Sequence, residues 1–326
     1  MAPSAEVGYA TRLASIRYAG PDVSLFEFAA LDAAPLPEPE PGAHIDVRIG
    51  PGLVRQYSLV TPLSTRSSYV VAVRREADGR GGSRRLHDEC RVGATFTIGG
   101  PRNHFALDER AGRTLLIAGG IGITPVYSMF ARLRALGRAV ELHYWCRSAG
   151  HVLFRAELEG RPGVTLHYSG APDRAGGSLA AVLDGVSDDT EVYCCGPARM
   201  LDDFARLTAQ RPPERNHVER FAAAAPSSSA EAGAAAGART FVVTLRRSGV
   251  DVQVREGESI LGALMRERID VSYSCEEGVC GACETRVLGG QPLHRDAVRA
   301  AAEHERRGTM MICCSGSRSP RLELDL

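Results

Sequence analysis

The chain has 326 residues, with 39 basic and 39 acidic side chains; a net charge of zero leaves no global basic footprint for nucleic acid and no acidic tail. Every basic residue is arginine, a compositional bias that warns against reading function into any single one. This length exceeds a single ordinary core, so two or three domains are expected, and no stretch reaches the roughly 18 apolar residues of a membrane span.

The N-terminal stretch Met1–Glu6 has no charged region followed by an apolar run, and nine cysteines without an export signal fit a reducing cytoplasm. Residues 7–100 read as short strands broken by glycine and proline: Thr11–Tyr18, Val23–Phe28, His44–Ile49, Val54–Leu59, Tyr69–Arg74 and Thr95–Ile98. The proline-rich run 35–42 is a loop. Six such strands predict a small antiparallel barrel. Within it, Arg55-Gln56-Tyr57-Ser58-Leu59 ends a strand, and Gly79-Arg80-Gly81-Gly82-Ser83 forms a glycine-rich turn of the kind that presents amides and a hydroxyl to a phosphate.

From about residue 111 the period changes. Thr114–Ala118 is a continuous apolar run, as expected for a strand buried on both faces, and Gly119-Gly120-Ile121-Gly122-Ile123-Thr124-Pro125 follows it. Those glycines bring an anion to the start of a helix over Pro125–Leu136, with Thr124 as its cap. Further strands are expected at Ala139–Cys146, Val164–Tyr168 and Glu191–Cys195, and a helix at Ala198–Leu207. Strand alternating with helix predicts a parallel α/β domain. Cys195-Gly196-Pro197 stands at the carboxyl end of the last of these strands, where ligands of such sheets bind.

Residues 222–238 contain no large aliphatic or aromatic side chain and read as a flexible linker. Beyond it come strands at Thr240–Arg247 and Val250–Arg255, a turn at Glu256-Gly257 and a helix at Glu258–Glu267. Then Cys275, Cys280 and Cys283 lie in the spacing C-x4-C-x2-C, with a further cysteine pair, Cys313-Cys314, after a gap of twenty-nine residues. This is the plant-type 2Fe–2S spacing, and thiolate is the soft ligand such clusters need. Zinc and disulfides are the weaker alternatives, since only one pair has knuckle form and no secreted context is evident. Spacing alone leaves Cys313 and Cys314 open as the fourth ligand.

Taken together, RQYSL, GRGGSRRLH, GPRNHFAL, GGIGITP, CCGPARM, HVERF, CEEGVCGAC and MMICCSGS resemble, in order, the phthalate dioxygenase reductase family over nearly the whole chain. The resemblance implies three domains: an antiparallel β-barrel binding FMN (1–108), an α/β nucleotide domain (109–221) and, after the linker, an α+β β-grasp ferredoxin domain (239–326). It implies that Arg55, Tyr57, Ser58, Ala72, Val73, Gly81, Gly82 and Ser83 hold the flavin. Gly120, Gly122, Ile123, Thr124, Arg147, Ser148, Cys195, Gly196 and Pro197 would hold the nicotinamide nucleotide, and Phe221 would lie near the flavin. Ser58, Thr124 and Cys195 would surround the hydride transfer, and Cys275, Cys280, Cys283 and Cys313 would ligate the cluster. The spot just after the strand ending His167-Tyr168-Ser169-Gly170, where many NADH-using members of that family place an acid, holds none, and Arg147-Ser148 could tolerate a 2′-phosphate; NADH is expected, with NADPH possible. The implied function is a cytoplasmic, monomeric reductase for a terminal oxygenase, either a Rieske-type hydroxylase or demethylase or a haem-thiolate monooxygenase. A non-enzymatic redox sensor is the alternative from another class.

Overall fold

The computed structural model describes residues 8–32, 34–50, 53–170, 177–221, 240–299 and 301–326. The expected linker and the N-terminal stretch lie outside them. The chain divides into two compact units, Met1–Glu219 and Arg220–Leu326.

The first unit opens with β1 (Tyr9–Gly20), β2 (Val23–Ala30), β3 (His44–Gly50), β4 (Leu53–Ser58), β5 (Ser68–Arg74) and β6 (Thr95–Ile98). All six expected strands form, and they pair in the order β4-β3-β6-β1-β2-β5, with antiparallel ladders. Leu59, just past β4, bridges Val71 of β5, so the sheet's two ends meet. Alternating side chains point to one core containing Leu13, Phe26, Phe28, Ile45, Val47 and Ile98. Each fully buried Leu, Ile or Phe there contributes roughly 1.5–3 kcal/mol.

The same unit holds a parallel sheet of β7 (Arg113–Gly119), β8 (Ala139–Cys146), β9 (Val164–Tyr168), β10 (Glu191–Cys195) and β11 (Asn216–Glu219), in the order β11-β10-β7-β8-β9, with the short helices α3 (Arg155–Leu158) before β9 and α4 (Leu179–Leu183) before β10. The period-2 geometry of a strand sorts β7 between two layers. Leu116 and Ala118 pack with Val126, Met129 and Phe130 of α2 (Ile123–Ala135), while Leu115 and Ile117 pack with Leu201 and Phe204 of α5 (Ala198–Leu207). The chain leaves β7 toward β8 and β9, then returns to β10 on the other side of β7. That reversal places a crevice at the carboxyl ends of β7 and β10.

Two expectations change. The glycine-rich segment 79–83 is not a bare turn: it leads into a helix, α1 (Gly82–Asp88), with Gly81 at φ 84° before it. Helix α2 starts at Ile123 rather than Pro125, after a tight turn over Gly120–Gly122. Thr124 therefore sits inside its first turn, donating its hydroxyl to the Ile121 carbonyl at 3.0 Å, and does not cap the helix.

The second unit is a five-stranded sheet, in the order β13-β12-β18-β14-β16: β12 (Phe241–Leu245), β13 (Val250–Val254), β14 (Glu284–Gly289), β16 (Thr309–Met311) and β18 (Arg321–Leu324). Strands β12 and β18 pair in parallel, and β15 (Pro292–Leu293) and β17 (Gly316–Ser317) form a small ladder of their own. Helix α6 (Ile260–Arg266) buries Ile260, Leu261, Ala263 and Leu264 against the sheet. It begins later than the sequence suggested because Ser259 caps it, accepting from the Gly262 amide at 3.0 Å, while Glu258 is drawn off to the Arg255 amide. A further helix, α7 (Ala301–Arg307), precedes β16. Among the described residues no helix is long and apolar enough to cross a membrane.

Candidate functional site

The crevice of the parallel sheet is built by glycines. A Cβ on Gly122 would lie 2.3 Å from the Cys195 carbonyl oxygen and 2.8 Å from the Gly196 nitrogen, so only glycine lets the turn after β7 abut the end of β10. A Cβ on Gly196 would meet Met200 at 2.7 Å, and one on Gly119 would meet Pro197 at 2.7 Å. Gly120 adopts φ 54°, and the buried Tyr144 hydroxyl donates to its carbonyl at 3.0 Å, which fixes the turn. Two motifs separated by some seventy positions of sequence thus form one edge.

Cys195 and Thr124 are buried below that edge. Burial, then Glu219 and Cys194, push the Cys195 thiol well above its ordinary range, so it is a neutral thiol rather than a nucleophile. Ile123 faces the core. Arg147 and Ser148 stand exposed after β8 on the same rim, with Ser148 hydrogen-bonded to His151 at 2.9 Å.

On the antiparallel sheet the two expected flavin motifs meet. The Arg55 side chain crosses Gly82, where a Cβ would lie 2.6 Å from its Cγ, and its guanidinium donates to the Arg80 carbonyl at 2.9 Å. Ser83 accepts from the Glu76 amide at 3.1 Å. Tyr57 is part-buried against the sheet core, where desolvation raises its hydroxyl pKa, and Ser58 is buried at the end of β4. Ala72 and Val73 point their side chains into two cores, so only their main chain is left to face a ligand. Both sheets share a core, in which Val60, Val70, Ala72 and Phe105 pack with Ile123, Val126 and Met129. The Gly42 amide donates to Ser128 of α2 at 3.1 Å. Phe221, expected near the flavin, is half-exposed and belongs to the second unit.

In the second unit Cys275, Cys280, Cys283 and Cys313 are all buried together. Hydrogen bonds from Cys275 and Cys283, then from Cys314, hold the Cys313 sulfur down as a thiolate; contacts with Cys280 and Cys313 push Cys275 up. The Glu277 and Val279 amides donate to Cys275 at 3.3 and 3.5 Å, and the Ala282 amide to Cys280 at 3.5 Å. Gly278 and Gly281 take φ 70° and 72°, turning those amides inward. Four converging sulfurs ringed by amide donors fit a 2Fe–2S cluster, whose sulfurs take such hydrogen bonds. Cys313 stands among the other three, whereas Cys314 leans on Met311 and Ser315 at 3.9 and 4.0 Å.

Glu219 was not singled out by sequence reasoning. It ends β11 beside Cys195, its Oε2 is buried without a hydrogen-bond partner, and burial raises its carboxyl to about 8. A charged residue at a strand end reads as solvent-facing; only the pairing of β10 with β11 places it inward.

Comparison with known proteins agrees with this division. Residues 116–206 match the oxidoreductase NAD-binding domain, and residues 243–316 match the 2Fe-2S iron-sulfur cluster binding domain. The chain is 44% identical over 319 residues to the phenoxybenzoate dioxygenase subunit beta of Ectopseudomonas oleovorans, covering 97% of this chain and 96% of that one. It is similar to the structure of phthalate dioxygenase reductase, described as a modular structure for electron transfer from pyridine nucleotides to [2Fe-2S] (TM-score 0.69, 35% identity, 98% of each chain). It is also similar to part of an intact type IV self-sufficient cytochrome P450 monooxygenase (TM-score 0.87, 36% identity), covering 98% of this chain and 41% of that longer one.

Proposed function

Because the chain belongs to the phthalate dioxygenase reductase family, an oxidoreductase family of oxygenase reductase components that works with FMN, NADH and a 2Fe–2S cluster, we propose that it delivers single electrons to a Rieske-type aromatic hydroxylase or O-demethylase. When bound, the flavin converts the two-electron hydride of NADH into the one-electron currency of the cluster. In this reading residues 1–108 form the flavin barrel, 109–221 the nucleotide domain, 222–238 a linker and 239–326 a β-grasp ferredoxin domain.

What carries the reading is the abutment of Gly122 on Cys195–Gly196 at the switch point of the parallel sheet. Gly120, Gly122 and Thr124 present main chain to the nucleotide, Ile123 anchors that turn by donating its amide to the Gly120 carbonyl, and Cys195, Gly196 and Pro197 floor the nicotinamide. Arg147 and Ser148 take the outer nucleotide. Arg55, Tyr57 and Ser58, with the main chain of Ala72 and Val73 and the turn Gly81–Ser83, hold the flavin and its phosphate. Ser58, Thr124 and Cys195 frame the hydride path by shape and by excluding water. Cys275, Cys280, Cys283 and Cys313 bind the cluster.

The test is reconstitution. The purified holoprotein should show flavin and 2Fe–2S absorption and reduce cytochrome c with NADH. It should also support turnover by an added Rieske oxygenase. The likeness to the self-sufficient monooxygenase favours a second reading, in which a haem-thiolate enzyme is the acceptor; turnover with that partner alone would select it. A protein with both chromophores and no NADH-dependent turnover would instead be a redox sensor.

Glu219 gives a pH prediction. A carboxyl raised from its ordinary range to about 8 is neutral in the folded protein below that pH. Its contribution to stability is full at acid pH and is lost as pH rises through about 4 to 8, because the unfolded carboxyl ionises first. Above about 8 it adds a buried negative charge beside Cys195. NADH-dependent ferricyanide reduction should therefore fall as pH rises through about 8, and Glu219→Gln should flatten the profile. Identical profiles for both proteins would remove Glu219 from the site.

A further inference from the structure

Behind the cysteine loop of the second unit runs a chain of polar side chains that no step above uses. His304 of α7 is fully buried, and so is the Asp296 side chain. The His304 Nε2 lies 3.1 Å from the Asp296 carboxylate, and its Nδ1 lies 3.0 Å from the Thr309 hydroxyl. Thr309 Oγ1 is in turn 2.8 Å from Glu284 Oε1. Each end reaches the cradle. Asp296 abuts Gly278, where a Cβ would lie 3.0 Å from its Cα, and the next residue's amide, that of Ala297, donates to the Gly278 carbonyl at 2.8 Å. Glu284 directly follows Cys283.

Proton counting fixes the state of His304. Glu284 is ion-paired with Arg299 at 3.2 Å and Arg307 at 3.7 Å, and as a carboxylate it accepts only. The single hydroxyl proton of Thr309 therefore goes to Glu284. The contact between Thr309 and His304 must then be Nδ1–H donating to the hydroxyl oxygen. Asp296 Oδ1 accepts the Val298 and Arg299 amides at 3.1 Å each, so it carries no proton, and Nε2–H donates between Oδ1 and the otherwise unpartnered Oδ2, 3.1 Å from each. Both ring nitrogens donate.

His294 stacks on His304 at 4.6 Å and 6°, with both of its own ring nitrogens buried and unpartnered among the described residues. Burial, and then the neighbouring His304, hold His294 below the usual histidine range; Asp296 and Glu305 act against this, and Arg318 acts with it. The ligand atoms of His294, Asp296 and His304 lie within 4.8 Å of one another, yet the cluster is not a metal site. Imidazole lone pairs lie in the ring plane, so two parallel stacked rings cannot aim at one ion, and a doubly protonated ring has no lone pair to give.

We propose that His304 is a positioning residue: an imidazolium clamped between Asp296 and Thr309 that braces the two sides of the cluster cradle and neutralises Asp296, so that reduction of the cluster proceeds without proton uptake. This rests on the cysteine loop being the cradle of a 2Fe–2S cluster. With the clamp intact, the buried pair keeps its protons when an electron arrives. With the cation removed, Asp296 is a buried unpaired carboxylate, and an added negative charge nearby draws a proton onto it.

The test is the midpoint potential of the cluster in the holoprotein, followed by its visible and paramagnetic resonance spectra between pH 6 and 8. The wild-type potential should be flat with pH. In His304→Gln it should acquire a slope approaching a tenfold change in the reduction equilibrium per pH unit, about 59 mV for one electron. The double variant His304→Gln with Asp296→Asn should be flat again. A flat profile in the single variant, or a sloped one in the wild type, overturns the clamp. If His304→Gln assembles no cluster, Thr309→Val serves: it removes the acceptor for Nδ1–H, lets His304 shed its second proton, and should introduce the slope, while a flat profile again overturns the clamp. A wild-type protein without a 2Fe–2S spectrum would instead sink the cluster reading on which the clamp rests.

Discussion

Replacing Cys280 with serine should abolish NADH-dependent reduction of cytochrome c while leaving hydride transfer to ferricyanide intact. Cys280 is buried in the loop that gathers the other thiols, and its sulfur accepts the Ala282 amide at 3.5 Å. Serine oxygen is a hard donor that suits an iron–sulfur cluster poorly, so the cluster absorption should weaken or vanish. The nucleotide crevice and the flavin motifs lie in a different compact unit, Met1–Glu219. Sites without shared partners act independently to within about 0.3–0.5 kcal/mol, so ferricyanide turnover should stay within about twofold of wild type. Parallel assays with the two acceptors, read beside the visible spectrum, check this. Equal loss of both activities would mean that the units do not work separately.

Gly122→Ala should be the most damaging small substitution in the nucleotide crevice. Its new methyl would press on main chain, the carbonyl of Cys195 at 2.3 Å, rather than on a side chain able to swing away. Either the turn or the end of β10 must move, and a displacement of about 1 Å in a site that positions reactants costs on the order of 10²-fold in rate. Overpacking of this kind also costs typically 1–3 kcal/mol of stability. Gly120→Ala is the contrast: no atom lies within 4 Å of its Cβ, and only the positive φ of 54° opposes it, at roughly 1–2 kcal/mol. The expected result is a kcat/KM for NADH about 10²-fold lower in Gly122→Ala, with the cluster spectrum unchanged. Equal, mild effects at both glycines would show that the abutment does not shape the site.

Much of this was legible in the sequence where burial leaves a one-dimensional trace. Strands Ala139–Cys146, Val164–Tyr168 and Glu191–Cys195 and helix Ala198–Leu207 have the bounds that their apolar patterns predict. The cysteine spacing pointed to the cradle because three of its four cysteines come from one loop. What the sequence hid depends on meetings between distant segments. Helix α1 is seven residues long and begins at a glycine, so it reads as turn. Strands β15 and β17 are two residues each, too short for any period to show. Glu219 and His304 look like surface residues of a strand end and a charged helix; only β10 beside the first and Asp296 beside the second put them inside. Thr124 looked like a cap because the tight turn of Gly120–Gly122 that precedes the helix has no signature beyond its glycines.

The parallel pairing of β12 with β18 bears on how the protein is made. Strand β18 lies between β12 and β14, with Leu322 and Leu324 fully buried, so the centre of the second sheet is supplied by the last strand of that unit to be synthesised. Every pairing of the two sheets of the first unit, by contrast, is available once the chain has reached Glu219. Units fold in order of synthesis, N-terminal first. The crevice of the parallel sheet can thus form while translation continues, whereas the four buried cysteines Cys275, Cys280, Cys283 and Cys313 emerge before the strand that completes their sheet. The sheet beside these cysteines is therefore completed only by a strand that carries none of them.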